Sequence, residues 1–239
     1  MQAMKLVDEE QGLISAYNSL WQVNFYDAFS LGTAGEKSTP LLEKLIMLLS
    51  NERSNEISRV IDAGAGGGSH SVTLAQQPRF SVTALDASPV AAELIRKQAL
   101  GVTLGLESSL EVVNQGVIEF LSSQSKGTFD AFYANALLHI FSFELRTVIY
   151  ELIKQALRDG GRIALSYKAD GDALQELGKL VEQNDLGEIR LGSDSVCRLF
   201  VRSVAEIKAE LEQAGFVVDE VISWSVEGYN VPGQLGKFI

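Results

Sequence analysis

An acidic residue followed by three alternating glycines is the feature of this sequence best suited to chemistry. Asp62 precedes Gly64, Gly66 and Gly68 in the run IDAGAGGGS. Glycines in such a loop permit a sharp turn and bring backbone N–H groups close to a ligand. The dinucleotide fingerprint G-x-G-x-x-G, counted from Gly64, requires glycine or alanine where Ser69 stands. A carboxylate at this point suits a ligand that carries an ammonium group, which a pyrophosphate does not.

A second acidic residue follows the next strand-like run. Asp86 lies 18 residues after Gly68, and Ser88 and Pro89 then supply a cap and a first-turn proline for a helix. A carboxylate at the end of the neighbouring strand can accept two hydrogen bonds from ribose hydroxyls. Taken alone, the glycine loop could be a tight turn, and Asp86 a loop residue near a helix start. Their spacing within one strand–helix–strand unit favours a ligand that contains a nucleoside.

Strand-like runs with helical patterns between them indicate an α/β fold. Five short runs are predicted to be buried parallel strands: Ser58–Ala63, Phe80–Leu85, Leu110–Asn114, Thr128–Tyr133 and Arg162–Tyr167. A helix is predicted from Leu145 to Leu157, with a stop at residues 159–161. This alternation predicts a doubly wound, mostly parallel sheet with helices on both faces.

The last part of the chain has a different pattern. Phe216–Trp224 and Gln234–Ile239 are two further strand-like runs, and only nine residues separate them. Nine residues cannot hold a parallel crossover, so this pair is predicted to be antiparallel. We therefore expect a seven-stranded, mostly parallel sheet with a C-terminal antiparallel strand pair.

The composition disfavours several classes of protein. The 239 residues carry a net charge of −11, from 20 basic and 31 acidic residues, which disfavours a nucleic-acid partner. The single cysteine, Cys197, excludes an internal disulfide and a cysteine-only metal site. No apolar run approaches the roughly 20 residues that a membrane span needs. The N-terminal residues lack the apolar segment of a secretory signal, so we expect a cytoplasmic protein without membrane contact.

These motifs resemble those of the class I S-adenosylmethionine-dependent methyltransferases over nearly the whole chain. VIDAGAGGGSHSVTLA is similar to the first motif of that family, ALDASP to the second and TFDAFYANALLHI to the fourth-strand motif. LRDGGRIALSYK resembles the segment through the fifth strand, and SVAEIKAELEQAGFVV the late helix and sixth strand. The resemblance implies a Rossmann-like methyltransferase fold with S-adenosylmethionine as cofactor. NALLHI is most similar to members that act on small molecules, which implies a small-molecule acceptor.

The resemblance also implies roles for individual residues. Asp62 and the Gly64–Gly68 loop would hold the methionine part of the cofactor, partly through water. Asp86 would bind the ribose, and Ala87 would pack on the adenine. Asn135 lies where the fourth strand of the family passes the transferable methyl group.

Recognition of the adenine departs from the usual pattern of the family. Members often have an aspartate after the third strand, which accepts a hydrogen bond from the adenine amino group. Here Gly116 stands at that position, with Val117 beside it. Adenine binding would then depend on backbone groups and apolar packing, or on Asn114 or Gln115.

No linker, repeat or low-complexity segment divides the chain, so we expect a single domain over residues 1–239. Residues 51–239 are predicted to form the cofactor-binding sheet, with residues 169–202 as a substrate-side insertion. In this family a front helix often closes over the cofactor, so residues 1–50 are expected to be a helical lid. Four aromatic residues recur there at roughly helical spacing: Tyr17, Trp21, Phe25 and Tyr26. Core packing is the alternative role for them.

Methyl transfer from a sulfonium is an in-line displacement, which needs alignment and exclusion of water rather than a catalytic triad or a metal. A general base helps when the acceptor is a hydroxyl or an ammonium. His139 follows the fourth strand, at the rim where open α/β sheets bind ligands, and is a candidate base or substrate contact. Lys168, just past the fifth strand, could bind an anionic substrate, and His70 is a further, less favoured histidine. Each of the three could instead be an ordinary polar residue.

Two other functions stay open. An NAD(P)-linked oxidoreductase would share the sheet and a glycine loop, but Ser69 and the terminal antiparallel pair count against it. A protein that binds the cofactor without catalysis is the second alternative, because methyl transfer needs no signature catalytic residue. Three arginines, Arg190, Arg198 and Arg202, lie in the acidic crossover before the sixth strand, either on a solvated face or in a lid that selects the substrate.

Overall fold

The structure is a computed structural model that describes residues 2–22, 38–53, 55–227 and 234–239. The chain forms two compact units. The described residues within 33–135 and 152–165 form one, the parallel-sheet unit. Those within 1–32, 136–151 and 166–239 form the other, the mixed-sheet unit. Among the described residues, no helix is both long enough and apolar enough to cross a membrane.

Strands and helices have the following bounds. The strands are β1 (Ser58–Ala63), β2 (Phe80–Leu85), β3 (Ser109–Val113), β4 (Phe129–Ala134), β5 (Leu157–Leu165), β6 (Lys168–Ala169), β7 (Lys179–Gln183), β8 (Gly187–Leu191), β9 (Cys197–Val201), β10 (Trp224–Glu227) and β11 (Leu235–Phe238). The α-helices are α1 (Gln2–Gln22), α2 (Pro40–Glu52), α3 (Ser69–Ala75), α4 (Pro89–Leu100), α5 (Val117–Ser122), α6 (Phe143–Ala156), α7 (Ala173–Leu177) and α8 (Val204–Gln213). A short 3₁₀ helix spans Leu138–Ile140.

The parallel-sheet unit has the predicted α/β architecture. Its strands have the order β3-β2-β1-β4-β5, and every neighbouring pair is parallel. Every residue of β4 is buried, so both faces of the sheet are covered. The chain winds outward from β1 to β3 and then returns to place β4 on the other side of β1. This reversal is a topological switch point, and ligands of open α/β sheets bind there, at the carboxyl ends of the strands.

Helix α2 shows how the sequence covers one face of this sheet. Thr39 caps the helix by accepting a hydrogen bond from the N–H of Leu42, and Pro40 occupies the first turn. The leucines at helical spacing then turn towards the sheet. They pack in one cluster with residues of α3 and four strands: Leu42, Leu45, Leu49, Val60, Leu74, Ala75, Phe80, Val82, Ala131, Tyr133 and Ala164.

The mixed-sheet unit contains a second sheet, with the order β10-β11-β6-β9-β8-β7. The C-terminal strands β10 and β11 are antiparallel, as predicted. The predicted seven-stranded sheet is wrong in its strand count, because the parallel sheet has five strands and β10 and β11 belong to the second sheet. There β11 pairs with β6, and the backbones of Tyr167 and Ile239 exchange two hydrogen bonds. Strands β7 to β9 lie in the segment 169–202, where the sequence analysis predicts an insertion and no strands. Every residue of β7 is exposed, so this strand lacks the apolar alternation by which a strand is detected.

Some predicted boundaries differ from those observed. The predicted strand Phe216–Trp224 is wrong over most of its length, because regular strand structure begins only at Trp224. Val217, in that run, is 84% exposed and contributes to no core. β5 begins at Leu157, so the predicted helix stop at residues 159–161 lies within a strand. Of the four N-terminal aromatic residues, Tyr17 lies on α1. The side chain of Trp21, and Phe25 and Tyr26 altogether, lie outside the described residues.

Candidate functional site

The glycine loop leaves the carboxyl end of β1 and leads into α3. Gly64, Gly66 and Gly68 have positive φ angles of 67°, 55° and 88°. Residues with a Cβ rarely adopt this left-handed region. The N–H of Ala65 donates to the carbonyl oxygen of Leu85 at 3.0 Å, which joins the loop to the end of β2. The alternating glycines are therefore required by a turn that holds the backbone at the switch point.

Asp86 directly follows β2 and connects the loop to the next helix. Its Oδ2 accepts a hydrogen bond from the N–H of Gly66 at 2.8 Å, and its Oδ1 accepts one from the N–H of Ser88 at 2.8 Å. Ser88 in turn caps α4. Asp86 is partly exposed. Each of its carboxylate oxygens can accept a second hydrogen bond, from a hydroxyl group of a ligand. This geometry is compatible with the ribose contact that the sequence predicts.

Asp62 is the second carboxylate of the loop region and is only 2% exposed. The hydroxyl of Ser71 donates to its Oδ2 at 2.5 Å. Burial raises the pKa of Asp62 to about 7, and the charge of Asp86 adds to the rise, while the bond from Ser71 opposes it. Burial also raises the pKa of Asp86 to about 6, against its two N–H donors. Two coupled carboxylates with raised pKa values favour a ligand that brings a positive charge.

The carboxyl end of β3 contributes an amide and a buried glycine. Asn114 donates from Nδ2 to the backbone oxygen of Asp86 at 2.9 Å. Gln115 donates to a carboxylate of α5. Gly116 is buried and precedes the first residue of α5, Val117, which is 6% exposed. Both side-chain amides donate to other groups through their nitrogens, and each keeps an amide oxygen that can accept a hydrogen bond from the adenine amino group.

Ala87 and Asn135 complete the predicted cofactor residues. Both are partly exposed. Tyr133, two residues before Asn135, pairs with Asp62 across β4 and β1. Since parallel strands end at the same edge, Asn135 follows β4 at the edge from which the glycine loop leaves β1. All nine predicted cofactor residues therefore lie in the parallel-sheet unit, after or near the carboxyl ends of β1 to β4.

Two residues that the motifs do not identify contact this region. Ser71 binds Asp62, and the hydroxyl of Tyr133 lies 3.1 Å from Nδ1 of His70 and 3.4 Å from Oγ1 of Thr39. The rings of His70 and Tyr133 are nearly perpendicular, with centroids 5.6 Å apart. For Ser71 the available signal is a hydroxyl in the first turn after the glycine loop. The contact of Tyr133 joins residues 63 positions apart and has no signal in the sequence.

The predicted catalytic histidine, His139, lies in the mixed-sheet unit. It is 4% exposed, on the 3₁₀ helix that follows β4. Its Nδ1 is buried and has no hydrogen-bond partner in the part of the chain that the structure describes. Burial, together with the charges of Lys168, Arg198 and Arg146, holds the pKa of His139 well below its usual range. The imidazole is neutral and weakly basic, which suits a polar contact better than a general base.

Lys168 is also buried, at 2% exposed. Its Nζ lies 2.8 Å from Oδ2 of Asp172 and 4.3 Å from the centre of the Phe238 ring. Burial lowers the pKa of Lys168 to about 8, although Asp172 opposes this. The predicted anion-binding ammonium is therefore already neutralised by a carboxylate.

The three arginines of the crossover are ion-paired as well. Arg190 and Arg202 both contact Glu188, at 2.7 and 3.0 Å, and Arg198 pairs with Asp194. Within the described ranges, no group of three or more histidine, cysteine, aspartate or glutamate side chains is placed to hold a metal ion.

Comparisons with known proteins were made for the whole chain. Residues 60–161 match the family described as a methyltransferase domain. No curated protein matches the chain significantly. Among solved structures, a methyltransferase dependent on S-adenosylmethionine from Methanosarcina mazei has a TM-score of 0.62 at 19% identity, with 80% of this chain and 94% of that chain covered.

Two further structures are similar over most of the chain. The 1,6-didemethyltoxoflavin-N1-methyltransferase of Burkholderia thailandensis has a TM-score of 0.58 at 19% identity. The alignment covers 95% of this chain and 87% of that chain. The magnesium protoporphyrin IX methyltransferase of Synechocystis has a TM-score of 0.62 at 16% identity, with 94% and 96% covered. At these identities the likeness concerns the fold. Residues 60–161 therefore match a methyltransferase domain, and the fold agrees with that match.

Proposed function

We propose that this chain is an enzyme that transfers a methyl group from S-adenosylmethionine to a small-molecule acceptor. The observation that carries the proposal is the arrangement of Asp62, Asp86 and Gly66 at the switch point of the sheet. One carboxylate is buried beside the loop, and the other holds the N–H of Gly66 at 2.8 Å. An ammonium group and a ribose on one ligand would satisfy both carboxylates.

The cofactor residues have the following roles in this proposal. Asp62 pairs with the ammonium group of the methionine part, and the Gly64–Gly68 loop encloses that part. Asp86 accepts hydrogen bonds from the ribose hydroxyls. Contacts to the adenine come from Ala87, Gly116 and Val117, and Asn135 lies nearest the methyl group.

Bound S-adenosylmethionine supplies an electrophilic methyl group on a positively charged sulfur. The residues of the chain then have to align the acceptor and exclude water. We assign His139 a polar contact with the acceptor, because its lowered pKa makes it a poor base. Lys168, the other predicted catalytic residue, would act through its ion pair with Asp172 and not as a separate cation.

The acceptor in this proposal is a small molecule and not a nucleic acid. The net charge of −11 disfavours a polyanion. Two proteins of similar fold act on small molecules, 1,6-didemethyltoxoflavin and magnesium protoporphyrin IX. The anionic acceptor that the sequence suggests has less support, since Lys168 and all three crossover arginines are ion-paired. The single cysteine, Cys197, accords with the cytoplasmic location that we propose.

The N-terminal segment 1–50 and the insertion 169–202 are proposed to control access of the acceptor. Helix α1 is held within the mixed-sheet unit by Glu9, which accepts hydrogen bonds from the N–H and hydroxyl of Ser142 at 3.2 and 3.1 Å. Ser142 precedes α6, so the carboxylate also meets the positive end of that helix. A hydrogen bond between Tyr17 and Arg198 joins α1 to β9 of the insertion.

Cofactor affinity is expected to fall as the pH falls through the pKa values of the two carboxylates. Above about pH 8 both carboxylates are ionised. Below about pH 5 both are largely protonated, so Asp62 no longer pairs with the ammonium group and Asp86 holds the ribose hydroxyls less strongly. Titration calorimetry with S-adenosylhomocysteine between about pH 5.5 and 8.5 should show up to about a tenfold loss of affinity per pH unit for each proton taken up. Asp62→Asn should bind weakly at all pH values and flatten the profile. A constant wild-type dissociation constant over this range would contradict the ammonium contact.

The acceptor class is tested by two measurements on the wild-type protein. Transfer of labelled methyl groups from S-adenosylmethionine is expected with some member of a panel of small heterocyclic, phenolic and carboxylic acceptors. A filter-binding assay with bulk cellular RNA at low salt, where electrostatic binding is strongest, should show no tight complex. Submicromolar RNA binding that disappears as salt rises would overturn the small-molecule proposal.

The two alternative functions, an NAD(P)-linked oxidoreductase and a non-catalytic cofactor-binding protein, would give different results in binding and turnover measurements. An oxidoreductase would bind NADH and not S-adenosylmethionine in the same calorimeter. A non-catalytic protein would bind S-adenosylmethionine and form no S-adenosylhomocysteine with the acceptor panel or with cell extract.

A further inference from the structure

The methionine part of S-adenosylmethionine carries a carboxylate as well as an ammonium group. Three backbone N–H groups of the glycine loop are not available to that carboxylate. Within the loop, the N–H groups of Ala65, Gly66 and Gly68 already donate to the Leu85 oxygen, to Asp86 and to the Ala65 oxygen. The nearby side chains of Asp62 and Asp86 are themselves acidic and would repel a second anion.

Three arginines of the parallel-sheet unit are engaged at the amino ends of the strands. Arg53 and Arg158 both pair with Asp130, the second residue of β4. Arg79, which directly precedes β2, pairs with Glu107. These cations lie at the amino ends of the strands, away from the loop.

Arg96, on α4, donates to the backbone oxygen of Val112. None of these four arginines is shown in contact with the glycine loop, and the side-chain N–H donor closest to the loop in sequence is His70.

His70 lies two residues after Gly68, and the hydrogen bonds around it fit the tautomer with its proton on Nε2. Thr39 Oγ1 accepts from the N–H of Leu42 at 3.1 Å, so its own proton can go to the Tyr133 oxygen, 3.4 Å away. The Tyr133 hydroxyl can then donate to Nδ1 of His70 at 3.1 Å. In a neutral imidazole whose Nδ1 accepts, the proton is on Nε2.

The Nε2 atom is available to a ligand. Among the described residues, the hydrogen bond of His70 is the one at Nδ1, and the ring is partly exposed. Burial lowers the pKa of His70 to about 4, so the ring is neutral at physiological pH and acts as a donor rather than as a base. Its edge contact with Tyr133 fixes the orientation of the ring.

We propose that His70 is a cofactor-binding residue whose Nε2–H donates a hydrogen bond to the carboxylate of S-adenosylmethionine, with Tyr133 and Thr39 as positioning residues. This inference rests on the proposed function, because it concerns the same cofactor. It assigns His70 to recognition of the amino-acid carboxylate and gives it no part in removing a proton from the acceptor.

The test compares S-adenosylmethionine with its decarboxylated analogue, which keeps the ammonium group and lacks the carboxylate. Calorimetry is done at about pH 8, where Asp62 and Asp86 are ionised. His70→Ala is expected to weaken S-adenosylmethionine about 10- to 100-fold, the range for a hydrogen bond to a charged group. Affinity for the decarboxylated analogue should stay within about twofold of wild type, because the lost bond is absent there already.

Two further variants separate positioning from packing. Tyr133→Phe keeps the ring volume and removes the hydroxyl, so it should produce a smaller loss, again confined to the ligand with the carboxylate. Gln76→Ala, at the exposed far end of α3, is the matched control and should bind both ligands as wild type does. If His70→Ala does not fold, His70→Gln, which retains an N–H donor, replaces it and should recover part of the selectivity.

The inference is overturned if His70→Ala binds S-adenosylmethionine with wild-type affinity, or if it loses the same factor for both ligands. A wild-type protein that binds neither ligand would instead refute the proposed function itself. The two failures are therefore distinguishable in one set of titrations.

Discussion

Replacing Asp86 with alanine is expected to weaken binding of S-adenosylmethionine about 30- to 1000-fold, equivalent to about 2–4 kcal/mol. The substitution removes the acceptor of both ribose hydroxyls and leaves them unpaired in a partly buried site. It also releases the N–H groups of Gly66 and Ser88, each held by this carboxylate at 2.8 Å. The loop and the start of α4 thus lose a common anchor together with the ligand contact. Titration calorimetry of the folded variant measures the loss.

Two other variants identify the source of that loss. Asp86→Asn keeps one oxygen acceptor for a backbone N–H and should retain the loop better than alanine, while it still binds the ribose weakly. Glu93→Ala removes an exposed carboxylate on α4 that pairs with Lys97 on the same helix, so it should leave the affinity unchanged. A folded Asp86→Ala protein with wild-type affinity would exclude the ribose contact.

The positions of the glycine loop and of the first two strands could be predicted because their signals are local. An alternating glycine run is needed wherever a loop requires repeated positive φ angles, and Gly64, Gly66 and Gly68 all have them. The first two strands have their predicted bounds, since β1 and β2 are short buried runs closed by strong turn residues. The spacing of Asp86 from the loop then follows from the length of one helix and one strand.

The surroundings of Lys168 and His139 could not be predicted, because they depend on contacts between residues that are far apart in the sequence. Lys168 resembles a surface lysine after a strand until Asp172 and Phe238 enclose it. His139 resembles a catalytic base until the charges of Lys168, Arg198 and Arg146 are placed around it. The burial of these residues and the ion pairs of the nearby cations cannot be predicted from the sequence alone. Strands β7 to β9 of the second sheet are not predicted, because they are short and β7 is exposed along its whole length.

Replacing Gly66 with valine is expected to abolish measurable cofactor binding, with a loss of more than about 100-fold, while most of the fold is retained. Gly66 has a φ of 55°, and its N–H must stay 2.8 Å from Asp86. A β-branched residue resists this conformation at a cost of about 1–2 kcal/mol, against a total stability of about 5–15 kcal/mol for a typical domain. The variant should therefore fold but hold the loop wrongly. Calorimetry, together with thermal unfolding, measures both effects.

Substitutions at Gly67 and Gly68 show whether the loss in Gly66→Val comes from the left-handed backbone or from the added side chain. Gly67 lacks a positive φ, and a Cβ there would come no closer than 3.9 Å to Gln98, so Gly67→Ala should fold and bind nearly as wild type does. A Cβ on Gly68 would lie 2.8 Å from Cγ1 of Ile95, so Gly68→Ala should chiefly lower the unfolding temperature. If Gly67→Ala abolished binding as well, filling of the loop and not its left-handed geometry would be the cause. Normal affinity in Gly66→Val would mean that the loop is a turn between β1 and α3 and does not contact the cofactor.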